Sequence, residues 1–157
     1  MTREPTETLV FEDVAVGDEV TAMAIEVDAT RIVAGAIATR DFMPVHHDRN
    51  YANAQGAPDI FMNILSDTGY CSRFLTDWAG PEAMVKQLSI RLGVPVFPGH
   101  TLTYEGTVVG TRVEDGAGLV DIEFRAAGDL GDHVSGTAVV DLPRRDADAD
   151  PGGEGTP

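Results

Sequence analysis

The second half of this chain alternates apolar and polar residues, and this alternation constrains the fold more than any other feature of the sequence. Four segments share the pattern: residues 84–92, 102–108, 120–124 and 134–142. A period of two is typical of strands that bury one face and expose the other. Turn residues separate the segments, at 97–99, 114–116 and 128–131. The pattern therefore predicts an antiparallel meander of about four strands.

The middle of the chain has helical periodicity instead. From Ile60 to Trp78 the apolar residues recur at the spacing of one helix face. Asp59 offers an N-cap and Gly80-Pro81 a stop, which predicts a helix of about 19 residues. A long helix followed by an antiparallel sheet predicts an α+β domain in which the sheet wraps around the helix.

Two elements are predicted ahead of the long helix. Residues 19–27 suit a first strand, and Asp28 precedes a short helix over residues 29–38. The sequence contains no internal repeat, and its 157 residues suit one domain, which we place at residues 1–143. Residues 144–157 contain no aliphatic side chain larger than alanine, which predicts a disordered acidic tail.

Charge excludes several classes of function. The chain has 26 Asp and Glu against 11 Lys and Arg, a formal net charge of −15, so nucleic acid and anionic membrane surfaces are not expected partners. No apolar run approaches the ~18–20 residues of a membrane span. The polar N-terminus and the single cysteine, Cys71, favour a cytoplasmic protein. An anionic ligand would need a local basic or dipolar site.

The densest cluster of chemically versatile residues lies at positions 40–49. Asp41 and His46 are separated there by an irregular, proline-containing segment. A carboxylate and an imidazole that share one water can exchange a proton with it. The spacing alone also suits a polar loop in which both residues cap neighbouring helices. His46, His47 and Asp48 are consecutive and lack a third spaced ligand, so no metal site is expected.

The segment from Asp41 to His46, followed by Ala52, resembles the hydratase motif of MaoC-like enoyl-CoA hydratases. That motif reads Asp-x-Asn-Pro-aliphatic-His with a small residue six positions later, and the chain here reads DFMPVH. Residues 11–18 and 95–99 are similar to the family's entry segment and to its later strand-end signature. The resemblance covers about residues 11–142. It implies a hot-dog fold, in which an antiparallel sheet wraps a long central helix.

The chain departs from the family pattern at three places. Arg40 and Met43 stand where the family usually has Gly and Asn, and Met62-Asn63 replaces a His-Gly pair. The combination of ATRDF, VHHDR and DIFMNILSDTG is similar to one branch, the small hydratase subunits of actinobacterial steroid (cholesterol) side-chain degradation. This branch implies a steroid enoyl-CoA substrate. It also implies a second MaoC-like chain in a heterodimer or heterotetramer, with a thiolase or aldolase as a further partner.

The resemblance also implies roles for particular residues. Asp41 and His46 would share the catalytic water, and backbone N–H groups around Met62 and Asn63 would receive the enolate oxygen. The side chain of Asn63 would either bond the thioester or cap the central helix. The substrate is itself a coenzyme A thioester, and no separate cofactor is implied. Arg91 and Arg73 are the candidates for its phosphates; surface salt bridging is the competing interpretation of both.

Three alternatives remain open from the sequence. The chain suits a homodimeric (R)-specific hydratase of fatty enoyl-CoA, and it suits a non-catalytic hot-dog subunit that completes another chain's pocket. A hot-dog thioesterase is less favoured, because its carboxylate lies on the central helix, where Asp67 is the one ionisable residue of the front half. His100 and His133 follow glycine turns and are predicted to lie on the surface, and Cys71 in the core.

Overall fold

The computed structural model describes residues 7–145. Its helices and strands, in chain order, are β1 (Glu19–Glu26), α1 (Ala29–Ala38), α2 (Arg49–Ala54), α3 (Ile64–Ala79), β2 (Met84–Leu92), β3 (Thr101–Glu114), β4 (Ala117–Gly128) and β5 (Gly131–Leu142). Two 3₁₀ helices add to these, at Phe11–Asp13 and Pro44–His46. No helix in the described residues is long and apolar enough to cross a membrane.

The strands form one antiparallel sheet of five, in the order β1-β3-β4-β5-β2. The meander is confirmed for β3, β4 and β5. It is wrong for β2, which pairs with β5 along its whole length, from Met84 opposite Asp141 to Leu92 opposite Val134. Residues 93–100 therefore carry the chain from one edge of the sheet to a strand near the other edge.

α3 forms the centre of the core and packs against the sheet. Phe74 illustrates the packing, because its ring lies 5.8 Å from Tyr104 of β3 and 6.1 Å from Phe124 of β4. Cys71 and Leu75 of the same helix are fully buried, which confirms the core position predicted for the cysteine. Each large apolar side chain buried here contributes about 1.5–3 kcal/mol.

The helix boundaries match the sequence in two places and differ in two. Asp28 caps α1 by accepting a hydrogen bond from Arg31 N–H, and Gly80 ends α3, both as predicted. The start of α3 is wrong, since its N-cap is Asn63, which accepts from Ser66 N–H. Asp59 instead accepts from the N–H of Ile60, and residues 61–63 have no regular secondary structure. The short helix α2 was not predicted, because Ala52 is its one buried residue.

The first two residues of the predicted tail contact the N-terminal part of the chain. Arg144 and Arg145 contact Glu12 and Asp13 through ion pairs of 3.4 and 2.7 Å. The rest of the predicted tail, residues 146–157, lies outside the described residues, so that tail stays a prediction.

Candidate active site

The loop between α1 and α2 brings Asp41 and His46 together. The distance from His46 Nε2 to Asp41 Oδ2 is 3.4 Å. The Asp41 side chain is 26% exposed and that of His46 is 9% exposed. The two groups thus face each other closely enough to act on one water molecule, with the carboxylate accessible from solvent.

The backbone of Arg40 adopts the left-handed conformation, and this turn directs Asp41 toward His46. Arg40 has a φ of 60°, and it follows the last turn of α1. Its N–H donates to Ile37 O, and the N–H of Asp41 donates to Ala36 O at 2.9 Å. These two bonds are the Schellman motif, which usually places glycine at the left-handed position. The motif explains why a glycine suits this position, and why Arg40 adopts the conformation at a cost of about 1–2 kcal/mol.

Hydrogen bonds keep Asp41 ionised. Asn63 Nδ2 donates to Asp41 Oδ2 at 3.0 Å, and the backbone N–H of Met43 donates to Oδ1 at 3.3 Å. The Asn63 hydrogen bond is the main reason that the pKa of Asp41 lies below its usual range; partial burial opposes the shift, and Met43 and His46 reinforce it. Asp41 is therefore a carboxylate, able to accept a proton, under ordinary conditions.

A backbone carbonyl fixes the ring of His46. The Nδ1 atom lies 2.7 Å from Phe61 O. Because a carbonyl oxygen only accepts, Nδ1 carries the proton, and Nε2 is left directed at Asp41. The Phe61 ring meets the imidazole edge-on at 5.1 Å and meets Phe97 in the same way at 6.4 Å. Phe61 thus supplies both the carbonyl that accepts from His46 and an aromatic ring that packs against the imidazole.

Asn63 joins the central helix to the loop. Its Oδ1 accepts from Ser66 N–H, and its Nδ2 donates to both Asp41 and Thr39 Oγ1, at 3.0 and 2.9 Å. Of the two roles left open for the Asn63 side chain, the helix cap is the one present. Both amide hydrogens are engaged, so the side chain positions Asp41 and is not free for a thioester. Sequence reasoning missed this contact because Asp41 and Asn63 are 22 residues apart.

The sequence predicted backbone donors around Met62 and Asn63, and the N–H groups that are free at the start of α3 are those of residues 63–65. Met62 N–H donates to Val96 O at 3.3 Å, and its side chain is buried. The N–H groups of Asn63, Ile64 and Leu65 have no acceptor within residues 7–145. A helix start with unpaired N–H groups carries partial positive charge and favours an anion. Asn63 keeps its predicted place among the donors, whereas Met62 does not.

Exposed apolar side chains lie next to the residues of this site in the chain. They are Ile37, Phe42, Met43, Ile64 and Leu65, each between 48% and 65% exposed. We call these five residues the apolar rim. Phe42 and Met43 follow Asp41 directly, and Ile64 and Leu65 carry two of the three free N–H groups. Apolar side chains exposed beside polar groups are typical of a binding surface.

Two open grooves lie elsewhere. One of about 610 Å³ is lined by β1, β3 and β4, including Glu19, Glu105 and Glu123, and one of about 360 Å³ by β2, β4 and β5, including Arg91. Neither is lined by Asp41, His46 or the start of α3. The larger groove carries three carboxylates and one arginine, which makes it a poor site for an anion.

The two arginines proposed for phosphates do not join the dyad. Arg73 forms an exposed ion pair with Asp77 on α3, with 3.0 Å between Nε and Oδ2. Arg91 is exposed on β2 and has no ion pair within residues 7–145. Their role therefore stays a prediction.

A second Asp–His pair is buried in the core. His133 Nε2 lies 2.9 Å from Asp67 Oδ1, and the side chains are 4% and 0% exposed. The predicted surface position of His133 is wrong. Ala126 and Ala127 of β4 pair with Val134 and Asp132, so His133 is the extra residue of a β-bulge. A period-two pattern cannot anticipate a bulge, which here turns the side chain inward.

The surroundings of the buried pair determine its charge. Burial alone lowers the pKa of His133, but the hydrogen bond and charge of Asp67, helped by Val94 O, outweigh it and leave the pKa raised. Burial also raises the pKa of Cys71 to about 12, and it raises the pKa of Tyr104. Within residues 7–145 no group of three or more His, Cys, Asp or Glu is arranged to hold a metal ion.

Comparison with known proteins identifies relatives at the level of sequence. The profile of the family described as "MaoC like domain" matches residues 12–126. The beta subunit of 3-oxo-4,17-pregnadiene-20-carboxyl-CoA hydratase from Mycobacterium tuberculosis is 52% identical over 120 residues, which are 76% of this chain and 88% of that subunit.

Comparison of structures gives the same result. A chain of the ChsH1-ChsH2 complex from Mycobacterium tuberculosis superposes with a TM-score of 0.76 and 45% identity, covering 82% of this chain and 98% of the other. R-Hydratase PhaJ1 from Pseudomonas aeruginosa gives a TM-score of 0.80 at 19% identity, over 89% of both chains, and shows the fold alone. The predicted hot-dog fold is confirmed.

Proposed function

Because this chain belongs to the MaoC-like domain family, we propose that it is the dyad-bearing subunit of an enoyl-CoA hydratase that acts on a steroid side-chain thioester. One observation carries the proposal. Asp41 and His46 face each other beside three unpaired N–H groups, those of Asn63, Ile64 and Leu65. Hydration of a conjugated thioester needs both an acid–base pair and donors for an oxyanion.

The proposed reaction adds one water across the 2,3 double bond. The dyad of Asp41 and His46 removes a proton from water as the oxygen attacks C3, and electrons move onto the thioester oxygen. The N–H groups at the start of α3 then stabilise the enolate, aided by the helix dipole. A proton delivered to C2 by the dyad completes the addition, so that C2 gains H and C3 gains OH. The same groups catalyse the reverse dehydration.

The substrate class follows from the relative and from the apolar rim. The Mycobacterium tuberculosis subunit at 52% identity is named as a hydratase of a pregnadiene carboxyl-CoA, which is a steroid thioester. The apolar rim exposes Phe42, which follows Asp41 in the chain, and Leu65, which carries one of the free N–H groups, and such apolar side chains suit a bulky hydrocarbon. We therefore expect a steroid chain to be preferred over a short acyl chain.

The partner we propose is a second MaoC-like hot-dog chain. The matching structure is a complex of two proteins, ChsH1 and ChsH2. The apolar rim is exposed on the single chain, and neither groove described above includes the dyad. A second chain that covers the rim would exclude water from the site and enclose the substrate. A thiolase or aldolase that binds this pair is a further proposal.

Coenzyme A brings phosphates to a chain with a net charge of −15. Arg91 is the better of the two proposed contacts, because Arg73 is already paired with Asp77. The partner chain is the other source of cations. Asp67 offers no support for a thioesterase, since its side chain is fully buried against His133.

The test compares substrates and subunits. The chain is purified alone and together with a co-encoded second MaoC-like chain, and loss of the enoyl-thioester absorbance is followed with crotonyl-CoA and with a steroid enoyl-CoA. We expect steroid turnover by the pair and little by the single chain. Turnover of crotonyl-CoA by the isolated chain would favour a homodimeric fatty hydratase instead. Full activity of the pair carrying His46→Ala would leave the chain a non-catalytic subunit.

A further inference from the structure

We propose that Asp67 and His133 are positioning residues, which hold the start of α3 and the two residues of the dyad through a closed circuit of hydrogen bonds. This inference rests on the function proposed above, because it assigns the buried pair a role in that reaction. Neither residue touches the substrate. Their effect is on the backbone of residues 61–63, which orients His46 and Asp41.

The circuit begins at the β-bulge of β5. His133 Nδ1 donates to Val94 O at 2.6 Å, while the N–H of Gly93 donates back to His133 O at 2.8 Å. The N–H of Val94 donates to Asp132 O at 3.1 Å. Three hydrogen bonds thus fasten residues 93–94 to the bulge. Bulges commonly redirect one side chain, and here the redirected side chain reaches α3.

The circuit closes through residues 61–63, the segment just ahead of α3. Val96, two residues after Val94, accepts a hydrogen bond from Met62 N–H. Asn63, the next residue, accepts through its carbonyl from the N–H of Asp67 at 3.1 Å. The Asp67 carboxylate then returns to His133 at 2.9 Å. Residues 62–67 are therefore held at one end by Asp67 itself and at the other through Val96, two residues after the carbonyl that His133 binds.

The circuit supports the dyad at two points. Phe61 O, adjacent to Met62, is the acceptor that orients the His46 imidazole. Asn63 donates the hydrogen bond that holds the Asp41 carboxylate. Misplacement of reacting groups by about 1 Å can cost on the order of 10²-fold in rate. A loosened circuit would move both residues of the dyad and the free N–H groups together.

The circuit requires one shared proton. Because Val94 O only accepts, His133 Nδ1 carries a hydrogen, and the contact between Nε2 and Asp67 Oδ1 needs a second one. The raised pKa of His133 agrees with that proton being held. Cys71 and Tyr104, which also act on Asp67 electrostatically, stay neutral because burial raises their pKa values. Asp132, next to His133 on β5, is paired with Arg125 at the surface. Loss of the proton at alkaline pH places two lone pairs against each other at the Asp67 contact.

Two substitutions separate the effect of the hydrogen bonds from the effect of the shared proton. Asp67→Asn keeps every link without the shared proton, because its amide donates to Nε2 of a neutral His133 that still donates to Val94. His133→Gln keeps a donor for Asp67 but releases Val94 O. Both are tested in the complex with the second MaoC-like chain, by steady-state kinetics over a range of pH, with unfolding curves as the record of folding.

We expect His133→Gln to lower kcat about 10-fold or more, with KM changed less than about threefold, since the circuit orients the dyad and not the substrate. Asp67→Asn should keep kcat near the wild-type value at neutral pH. It should also lack the alkaline fall in activity that the wild type shows as the shared proton leaves. If the pair had a purely structural role, Asp67→Asn would show the same pH profile of activity as the wild type.

Two results would overturn the inference. One is wild-type kcat in folded His133→Gln; the other is the same alkaline profile in the wild type and Asp67→Asn. Failure of the proposed function looks different, because the wild-type complex would then turn over no enoyl thioester, or Asp41→Asn would remain fully active.

Discussion

The two Asp–His pairs of this chain have similar bonding and different surroundings. In both pairs Nδ1 of the histidine donates to a backbone carbonyl and Nε2 is directed at a carboxylate. Asp41 and His46 lie 3.4 Å apart on a loop, with the carboxylate open to solvent. Asp67 and His133 lie 2.9 Å apart with almost no exposure. Access to solvent, and not the type of residue pair, therefore separates the candidate catalytic dyad from the buried positioning pair.

The difference in burial should appear as the largest effect on stability. Removing one partner of a buried pair leaves the other uncompensated, so Asp67→Ala should lower the free energy of unfolding by about 3–5 kcal/mol. Asp41→Ala should cost no more than about 1 kcal/mol, because its carboxylate reaches solvent. Urea unfolding of both variants measures the contrast. Equal losses would mean that the two pairs are energetically alike.

Asn63 joins the dyad to α3, and two substitutions separate its roles. Asn63→Ala should cost about 0.5–2 kcal/mol of stability, since it removes the helix cap. Asn63→Ser should keep the cap but lose the donor to Asp41. Because Asn63 holds the pKa of Asp41 low, both variants should shift the acid limb of the pH–rate profile to higher pH. An unshifted limb in Asn63→Ser would show that another group sets the protonation of Asp41.

The pairs should also respond to opposite ends of the pH range. The folded-state pKa of His133 is raised, so its contribution to stability is complete below about pH 6.5 and disappears as the pH rises through the folded value. The pKa of Asp41 is lowered, so its contribution is present above about pH 3.9 and disappears as the pH falls through the folded value. Thermal unfolding across pH measures both. Asp67→Asn should remove the alkaline fall and Asp41→Asn part of the acid fall; no change in either would contradict the assignment.

The smallest predicted effect concerns the turn that aims Asp41. Arg40→Gly should raise the free energy of unfolding by up to about 1 kcal/mol, because glycine adopts a φ of 60° without the steric cost, less its own entropic cost. Arg40→Ala is the matched control, since it retains the Cβ and should give no gain. Equal stability of the two variants would show that the left-handed turn stores no strain.

Much of the fold could be predicted because it depends on local pattern. The cap at Asp28, the stop at Gly80 and the alternation of β3–β5 are all readable over a few residues. The pairing of β2 with β5 was missed because register between distant strands leaves no local signal. The start of α3 was placed too early, since Asp59 and Asn63 are both good caps and only tertiary contacts choose between them.

The residue types of the site could be predicted from the sequence, but the hydrogen bonds that hold them in place could not. The spacing of Asp41 and His46 in a motif identified the dyad as a candidate, but Asn63 and Phe61 O reach it from about 15–22 residues away. His133 was misplaced because a bulge shifts the alternation by one residue. These contacts depend on how the helices, loops and strands pack together, and a single sequence does not show that packing.

The most direct measurement compares one conservative substitution in each pair. Asp41→Asn and Asp67→Asn are each prepared in the complex with the second MaoC-like chain, and hydration of the steroid enoyl-CoA is followed at neutral pH. We expect Asp41→Asn to lose about 10²-fold or more in kcat while Asp67→Asn stays close to the wild type. Full activity of Asp41→Asn in a folded, active complex would contradict it.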